Sequence, residues 1–380
     1  MKYIRRFFPL AAAGLLLLAA CMGDPKPGHK AGEDETEQQE EDAGDDGSGT
    51  TAVFAKGADL GWLTEYEDKG YKFYSASGTQ MELTALMKSI GFNSVRYRVW
   101  VNPSAGYNNK ADVLKKCLRA KALGLRVMID FHYSDTWADP GKQIVPAAWQ
   151  SYDATAMAKA VGDHTRDVLQ TLKDNGVNVA WVQVGNEVRP GMLRHTGTEN
   201  NPVEISAAVS GKVSGTSTGH FVEYFNAGAE AVKAVYPDAS VILHLDNGWD
   251  LSTLTWFYDL VGGKGIQYDM IGLSLYPSYW DSGINGYPDW KSKTASCVKN
   301  FKSMHDRYAK PVMLVEFGMP ASEPDKTKAA LQYILDGTKD YSWFQGIFYW
   351  EPESEQSRNG YQYGAFSGGK PTAALHPFAD

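Results

Sequence analysis

The chain has 380 residues, 43% of them hydrophobic and 12% aromatic, enough for one large core or two ordinary ones. The formal net charge of −8 is unevenly spread: residues 22–50 hold ten acids against Lys26 and Lys30, while residues 51–380 hold 35 acids against 32 Lys+Arg. The bulk of the chain is therefore near neutral and shows no basic patch, which excludes nucleic acid as an expected partner.

The N-terminus reads as a targeting segment rather than fold. Lys2, Arg5 and Arg6 form a positive stretch, and Pro9–Ala20 is apolar but short for a membrane span. Leu18-Ala19-Ala20-Cys21 resembles a bacterial lipobox, which implies that residues 1–20 are a lipoprotein signal peptide and that Cys21 is lipidated. The alternative is an ordinary signal peptide with a coincidental Cys. Residues 22–50 contain no aromatic side chain, and Met22 is their one large apolar residue. Such composition does not offset ordering entropy, so residues 21–50 read as a lipidated, acidic, disordered tether. The expected location is the cell envelope, at the surface-exposed outer membrane, with the lipid anchor as the only membrane contact. Cys117 and Cys297 are far apart and sit in helix-like segments, so they form neither a disulfide framework nor a metal site.

From residue 51 onward a helical stretch repeatedly ends in Gly, an apolar residue, and a short β-rich run. Met81–Ile90 leads through Gly91 to S-V-R-Y-R-V-W. Val113–Leu123 leads through Gly124 to R-V-M-I-D-F-H-Y, and Val161–Asn175 through Gly176 to N-V-A-W-V-Q-V. Gly past a helix end takes the left-handed turn cheaply. Further strands fit 53–60, 240–246, 269–276, 312–317 and 346–350, with helices at 219–235, 290–308 and 325–339. Eight strands alternating with helices predict an α/β fold, a (β/α)8 TIM barrel over 51–380. A doubly wound open sheet is the alternative, but G-A-D-L-G-W after the first strand is not a phosphate-binding glycine loop.

In such a barrel the chemistry lies at the C-terminal strand ends. In chain order these ends carry Asp59 and Trp62; Arg96, Arg98 and Trp100; Asp130, His132, Tyr133, Asp135 and Trp137; and Asn186 with Glu187. There follow His244, Asp246, Asn247 and Trp249; Tyr276 and Trp280; Glu316; and Trp350 with Glu351. Groups this costly to bury, at eight ends of one predicted mouth, point to a site rather than to isolated structural pairs. The tryptophans suit sugar rings, whose apolar faces stack on aromatics while their hydroxyls take hydrogen bonds. Glu187 and Glu316 close the fourth and seventh strands, and glycoside hydrolysis uses such a pair of carboxyls.

Asn186-Glu187 with a second Glu after strand 7 resembles clan A of the retaining glycoside hydrolases. The strings G-A-D-L-G-W-L-T-E-Y-E, V-R-Y-R-V-W-V-N-P, D-F-H-Y-S-D-T-W-A-D-P-G-K-Q, H-L-D-N-G-W-D, I-G-L-S-L-Y-P and F-Y-W-E-P-E resemble glycoside hydrolase family 53, the arabinogalactan endo-β-1,4-galactanases. The resemblance spans about residues 53–378. It implies Glu187 as general acid/base and Glu316 as nucleophile of a retaining double displacement. It also implies that Arg96, Arg98, His132, Asn186 and Tyr276 line the cleavage subsite, with Asn186 on the sugar 2-hydroxyl and Tyr276 orienting Glu316. Asp59, Trp62, Trp137, Asp246, Asn247, Trp280 and Trp350 would hold galactosyl units.

The implied partners are β-1,4-galactan of pectic side chains and galactooligosaccharides, acted on by a monomer. No cofactor is implied for catalysis. Several bacterial relatives have a longer loop after strand 7 with Asp, His and Asn ligands for a structural calcium; F-G-M-P-A-S-E-P-D-K-T lacks that run and does not support one there, while a structural calcium held by other residues stays open. Two other readings stay open: a glycan-binding surface lipoprotein, and a clan A enzyme acting on another β-linked glycan.

Overall fold

Short apolar runs rich in Val, Ile, Leu and Met are the strands of a sheet covered on both faces. A computed structural model describes residues 53–278 and 289–379. The runs form β1 (Ala55–Asp59), β2 (Ser94–Val99), β3 (Arg126–Phe131), β4 (Val179–Val184), β5 (Ser240–Leu245), β6 (Met270–Leu275), β7 (Val312–Phe317) and β8 (Phe344–Tyr349). All pairings among them are parallel, and β1 pairs with both β2 and β8, which closes the barrel. The closed order excludes the open doubly wound sheet.

The helices are α1 (Leu63–Asp68), α2 (Leu83–Ile90), α3 (Lys110–Ala122), α4 (Ala154–Asp174), α5 (Ser217–Val235), α6 (Leu251–Gly262), α7 (Trp290–Tyr308) and α8 (Pro324–Thr338). Side-chain caps fix several starts: Asn109, Asp153, Asp250 and Asp289 each accept a backbone N–H from the first turn of α3, α4, α6 and α7. Two of them mark differences from the pattern of the sequence. Asp153 starts α4 seven residues before the expected Val161, and Asp250 starts α6, which the pattern did not reveal. The run L-S-T-L-T-W-F-Y in α6 is β-branched and aromatic, with weak intrinsic helix preference. Packing supplies what propensity lacks: Leu254, Phe257, Tyr258 and Val261 are buried.

Among the described residues β8 is followed by a single helical turn, Gln356–Asn359, and by no α-helix of greater length. A 3-10 turn, Ala373–Phe378, takes that place and packs against α8 and α2. Phe378 stacks on Phe92 at 4.5 Å between ring centroids, and its carbonyl accepts from the Lys56 side chain at 3.2 Å.

The barrel interior is layered. Ala55, Met128, Trp181, Ile242, Met270, Met313, Val315 and Phe348 fill its lower part as one apolar cluster. Two residues further along the strands the inward positions turn polar: Asp130 after Met128, Gln183 after Trp181, His244 after Ile242. β7 departs from strict alternation. Leu273 pairs with Leu314 but Ser274 pairs with Glu316, so the register skips Val315. The bulge turns Glu316 to the barrel mouth, where alternation alone would have put it on the outer face with Leu314. Cys117 and Cys297 are both free and fully buried. None of the helices among the described residues is long and apolar enough to cross a membrane. Cys21 and the tether to residue 50 lie outside the described residues.

Removing the Phe378 ring should leave a cavity against Phe92. Phe378→Ala is expected to cost about 3 kcal/mol, measured as a lower urea midpoint with an unchanged slope.

Candidate active site

The strand ends open into a cleft of about 780 Å³. It is lined by His132, Trp137, Asn186, Glu187, Asp246, Asn247, Tyr276, Glu316 and Trp350, which the sequence singled out. Trp249, named at the end of β5, also lines it, as do Asp139, Lys142, Arg189, Ser274, Tyr361 and Tyr363, which the sequence did not single out. Trp280 lies outside the described residues.

Several residues expected to touch a ligand sit elsewhere. Asp59, Arg96 and Arg98 are 0%, 1% and 1% exposed and form a layer beneath the cleft floor. Trp62 is half-buried and packs edge-on to Trp137 at 5.7 Å and to Trp350 at 5.2 Å, as part of one aromatic wall. Tyr133 points away from the mouth and pairs its hydroxyl with Thr165 of α4 at 2.7 Å. The burial of Asp59, Arg96 and Arg98 corrects what the strand ends suggest of those three. A buried cation needs acidic partners, and the strand ends supply them from below.

Arg96 is the hub of that layer. Nη1 binds Asp59 at 2.6 Å, and Nη2 is shared by Asp130 at 2.9 Å, Glu316 at 2.8 Å and Asn186 Oδ1 at 3.0 Å. Nε donates to Gln183 Oε1 at 2.7 Å. Because a guanidinium only donates, these contacts fix both amides. Asn186 Oδ1 faces Arg96, and its Nδ2 donates to Ala138 O at 2.8 Å with one N–H left for the cleft.

The Gln183 amide sets a directional chain. Its Nε2 donates to His244 Nδ1 at 2.7 Å, so His244 carries its proton on Nε2 and donates to Ser274 Oγ at 2.7 Å. The Ser274 hydroxyl is then free to donate to Glu187. Burial, with Arg96 nearby, holds His244 well below its ordinary pKa, which keeps it neutral in this role. His132 is fixed in the same way. Nδ1 accepts from Trp100 Nε1 at 3.1 Å and from the Ala138 N–H at 3.0 Å, so Nε2 donates to Asp130 at 3.0 Å.

The two glutamates differ in what surrounds them. Glu316 is 5% exposed and bound by Arg96, and it accepts the Tyr276 hydroxyl at 2.8 Å. Burial raises its pKa, but Arg96 and Tyr276 oppose that rise. Glu187 makes no salt bridge among the described residues. Burial lifts it well above the carboxylate range, and the charges of Glu316 and Asp246 add to the effect. Both carboxyls are raised, and of the pair Glu187 is the more readily protonated and Glu316 the more readily ionised.

Backbone geometry aims Glu187. Gly185 has φ +87°, and a Cβ there would meet Val188 at 2.5 Å. Glu187 itself sits at φ +45°, a costly left-handed position for a non-glycine residue. Its neighbourhood is pinned by Gln143, whose side chain donates to Asn186 O at 2.9 Å. The hairpin His195–Thr198/Asn201–Glu204 backs that loop, with Val145 N–H donating to His195 O at 2.8 Å.

Ser274 and Gln183 were not singled out because each is an uncharged polar residue within an apolar strand run. Their signal was parity: a polar side chain on the same face as Trp181, or two residues before Tyr276. Arg189 was missed although it lies two residues past Glu187; it holds Asp246 with paired contacts of 2.8 and 2.9 Å. Tyr361 and Tyr363 come from the coil after β8, where no periodicity points. Among the described residues no group of three or more His, Cys, Asp or Glu side chains is placed to hold a metal ion.

Comparison with known proteins gives concordant matches. Residues 55–374 match the model of glycosyl hydrolase family 53. The arabinogalactan endo-β-1,4-galactanase A of Emericella nidulans is 31% identical over 326 residues, covering 80% of this chain and 86% of that protein. A probable arabinogalactan endo-β-1,4-galactanase A of Neosartorya fischeri is 31% identical over 319 residues, covering 78% and 83%. A solved structure from work on two fungal β-1,4-galactanases superposes with a TM-score of 0.73 at 27% identity, covering 86% of this chain and 99% of that one.

The raised Glu187 has a consequence for stability. An acid whose folded pKa lies above its unfolded value stabilises the fold below the unfolded pKa, and that contribution is lost as pH rises through the folded pKa. Glu187→Gln should therefore leave stability unchanged near pH 4. At pH 7 it should add about 1 kcal/mol, a rise of roughly 2 °C in Tm, read by calorimetry at the two pH values.

Proposed function

The chain belongs to glycosyl hydrolase family 53, and from that premise we propose that it is an endo-acting β-1,4-galactanase that retains anomeric configuration by double displacement on two glutamates. The fold is that of the family's TIM barrel, and the chain is a glycoside hydrolase. The observation that carries the mechanism is the asymmetry of the carboxyls: Glu316 is gripped by Arg96 and Tyr276, while Glu187 is in no ion pair among the described residues.

In the first step an ionised Glu316 attacks the anomeric carbon while Glu187 protonates the departing glycosidic oxygen. The C1–O bond breaks, and a galactosyl ester forms on Glu316. In the second step Glu187, now a carboxylate, takes a proton from water. That water attacks the same carbon and releases Glu316. Ser274 steadies Glu187 in both states, because its hydroxyl donates to a carbonyl or a carboxylate oxygen. Arg96 takes up the charge that returns to Glu316. The free N–H of Asn186 is positioned to donate to the sugar 2-hydroxyl, and Trp137, Trp249 and Trp350 offer ring faces to successive galactosyl units.

Glu187→Gln and Glu316→Gln should each lower kcat/KM on linear β-1,4-galactan by about 10³-fold, measured as reducing ends released. Proton NMR of the first products should show the β-anomer. Wild-type activity in either variant overturns the assignment. Galactan binding with no product would favour a capture lipoprotein, and a preference for mannan, xylan or cellulose another clan A substrate.

The leader carries a separate part of the proposal. Cys21 is lipidated and residues 22–50 tether the barrel at the outer surface of the envelope, as the lipobox-like L-A-A-C and the acidic composition support. Cys21→Ala should move the activity from the membrane pellet to the soluble fraction. Retention in the pellet would count against a lipid anchor.

A further inference from the structure

The layer beneath the cleft contains more acid than base. Its cations are Arg96, Arg98 and Lys116, and its carboxyls are Asp59, Asp112, Asp130, Glu316, Glu351 and Glu353, all of them buried. Lys116 is matched by Asp112 at 3.0 Å, and Arg96 by Asp59, Asp130 and Glu316. Arg98 is matched by Glu351, whose other oxygen accepts the Trp62 backbone N–H at 3.3 Å.

Glu353 is left over. It is 0% exposed, and among the described residues it makes no ion pair and, apart from Glu351, no side chain offers its carboxyl a hydrogen bond; its own backbone N–H lies against it. The hydroxyl of the adjacent Ser354 is committed: it meets Tyr66 at 2.9 Å and donates to Asn359 at 2.9 Å. What Glu353 does face is the carboxyl of Glu351. Two buried carboxylates cannot share such a contact, whereas an acid and a carboxylate can, with the acid as donor.

Glu351 in turn controls the glycan-facing wall. Arg98 leans on it, because its other ion pair, with Asp59, is longer at 3.9 Å, and Nε and Nη2 have no acceptor among the described residues. That guanidinium lies 4.2 Å from the Trp137 ring, 5.2 Å from Trp62 and 5.5 Å from Trp100. It also fills the space at Gly61, where a Cβ would come within 2.0 Å of Nη1. Glu351 sits at φ +43°, so its side chain is held in place against backbone strain.

We propose that Glu353 is a positioning residue: a neutral carboxylic acid that donates its proton to a hydrogen bond with Glu351 and so holds Arg98 and the Trp62–Trp137–Trp350 wall at the spacing a glycan chain requires. Glu353 touches neither substrate nor the reacting atoms. It acts through Glu351, and its effect falls on binding rather than on the chemical step. The kinetic arm of the test rests on the galactanase reading; the spectroscopic arm does not.

Three variants of the full chain test this. Glu353→Gln keeps a neutral donor, and its KM on galactan should stay within about twofold of wild type. Glu353→Leu and Glu353→Ala remove the donor, and KM should rise about tenfold with kcat little changed. Near-UV circular dichroism selects whichever of the two folds. Independently, the infrared difference between wild type and Glu353→Gln at pH 7 should contain the carbonyl stretch of a protonated carboxylic acid. The proposal is overturned by a wild-type KM in the Leu or Ala variant, by a Gln variant as impaired as they are, or by a difference spectrum showing only carboxylate bands. A chain inactive on galactan would sink the galactanase reading and leave the infrared result to decide on Glu353.

Discussion

One guanidinium organises the mouth of this barrel. Arg96 is buried and meets acceptors from five other places in the chain: Asp59, Asp130, Gln183, Asn186 and Glu316. Desolvating a cation is expensive, and only well-placed acceptors offset it. The geometry of those acceptors is therefore not free to vary. The end of β7, the end of β4 and the tautomer of His244 are all fixed relative to the same charged group.

That constraint separates the chemistry of two glutamates at one mouth. Arg96 reaches Glu316 directly, and the charge favours the ionised form. It reaches Glu187 only through Gln183, His244 and Ser274, a chain that conveys orientation but no net charge. Burial then acts on Glu187 with little to oppose it. The same logic recurs one layer out. Arg98 has Glu351 as its carboxylate, and the surplus acid behind it, Glu353, has no cation within reach among the described residues.

The architecture was largely legible in the chain. Strand runs separated by Gly-punctuated helices gave eight strands within a residue or two of those found, because a covered parallel strand must be apolar along its length. The site was legible in outline, because ionisable groups are costly to bury and collect at one mouth only where they pair or bind. Helix α6 was not, since its aromatic and β-branched residues are helical through packing. Nor were Ser274, Gln183, Tyr361 and Tyr363, since their roles come from what lies across the barrel or in the closing coil.

Sequence by itself therefore determined the fold class, the pair Glu187 and Glu316, and the aromatic character of the mouth, because these follow from local pattern and residue chemistry. Tertiary structure alone decided which polar residues face the cleft and which lie beneath it. Asp59, Arg96 and Arg98 look like ligand contacts along the linear chain, and they are support. The reason is physical: whether a strand-end charge meets solvent or another charge depends on the inward register of seven other strands. In β7 that register depends on a bulge at Val315, which no periodicity in V-M-L-V-E-F announces.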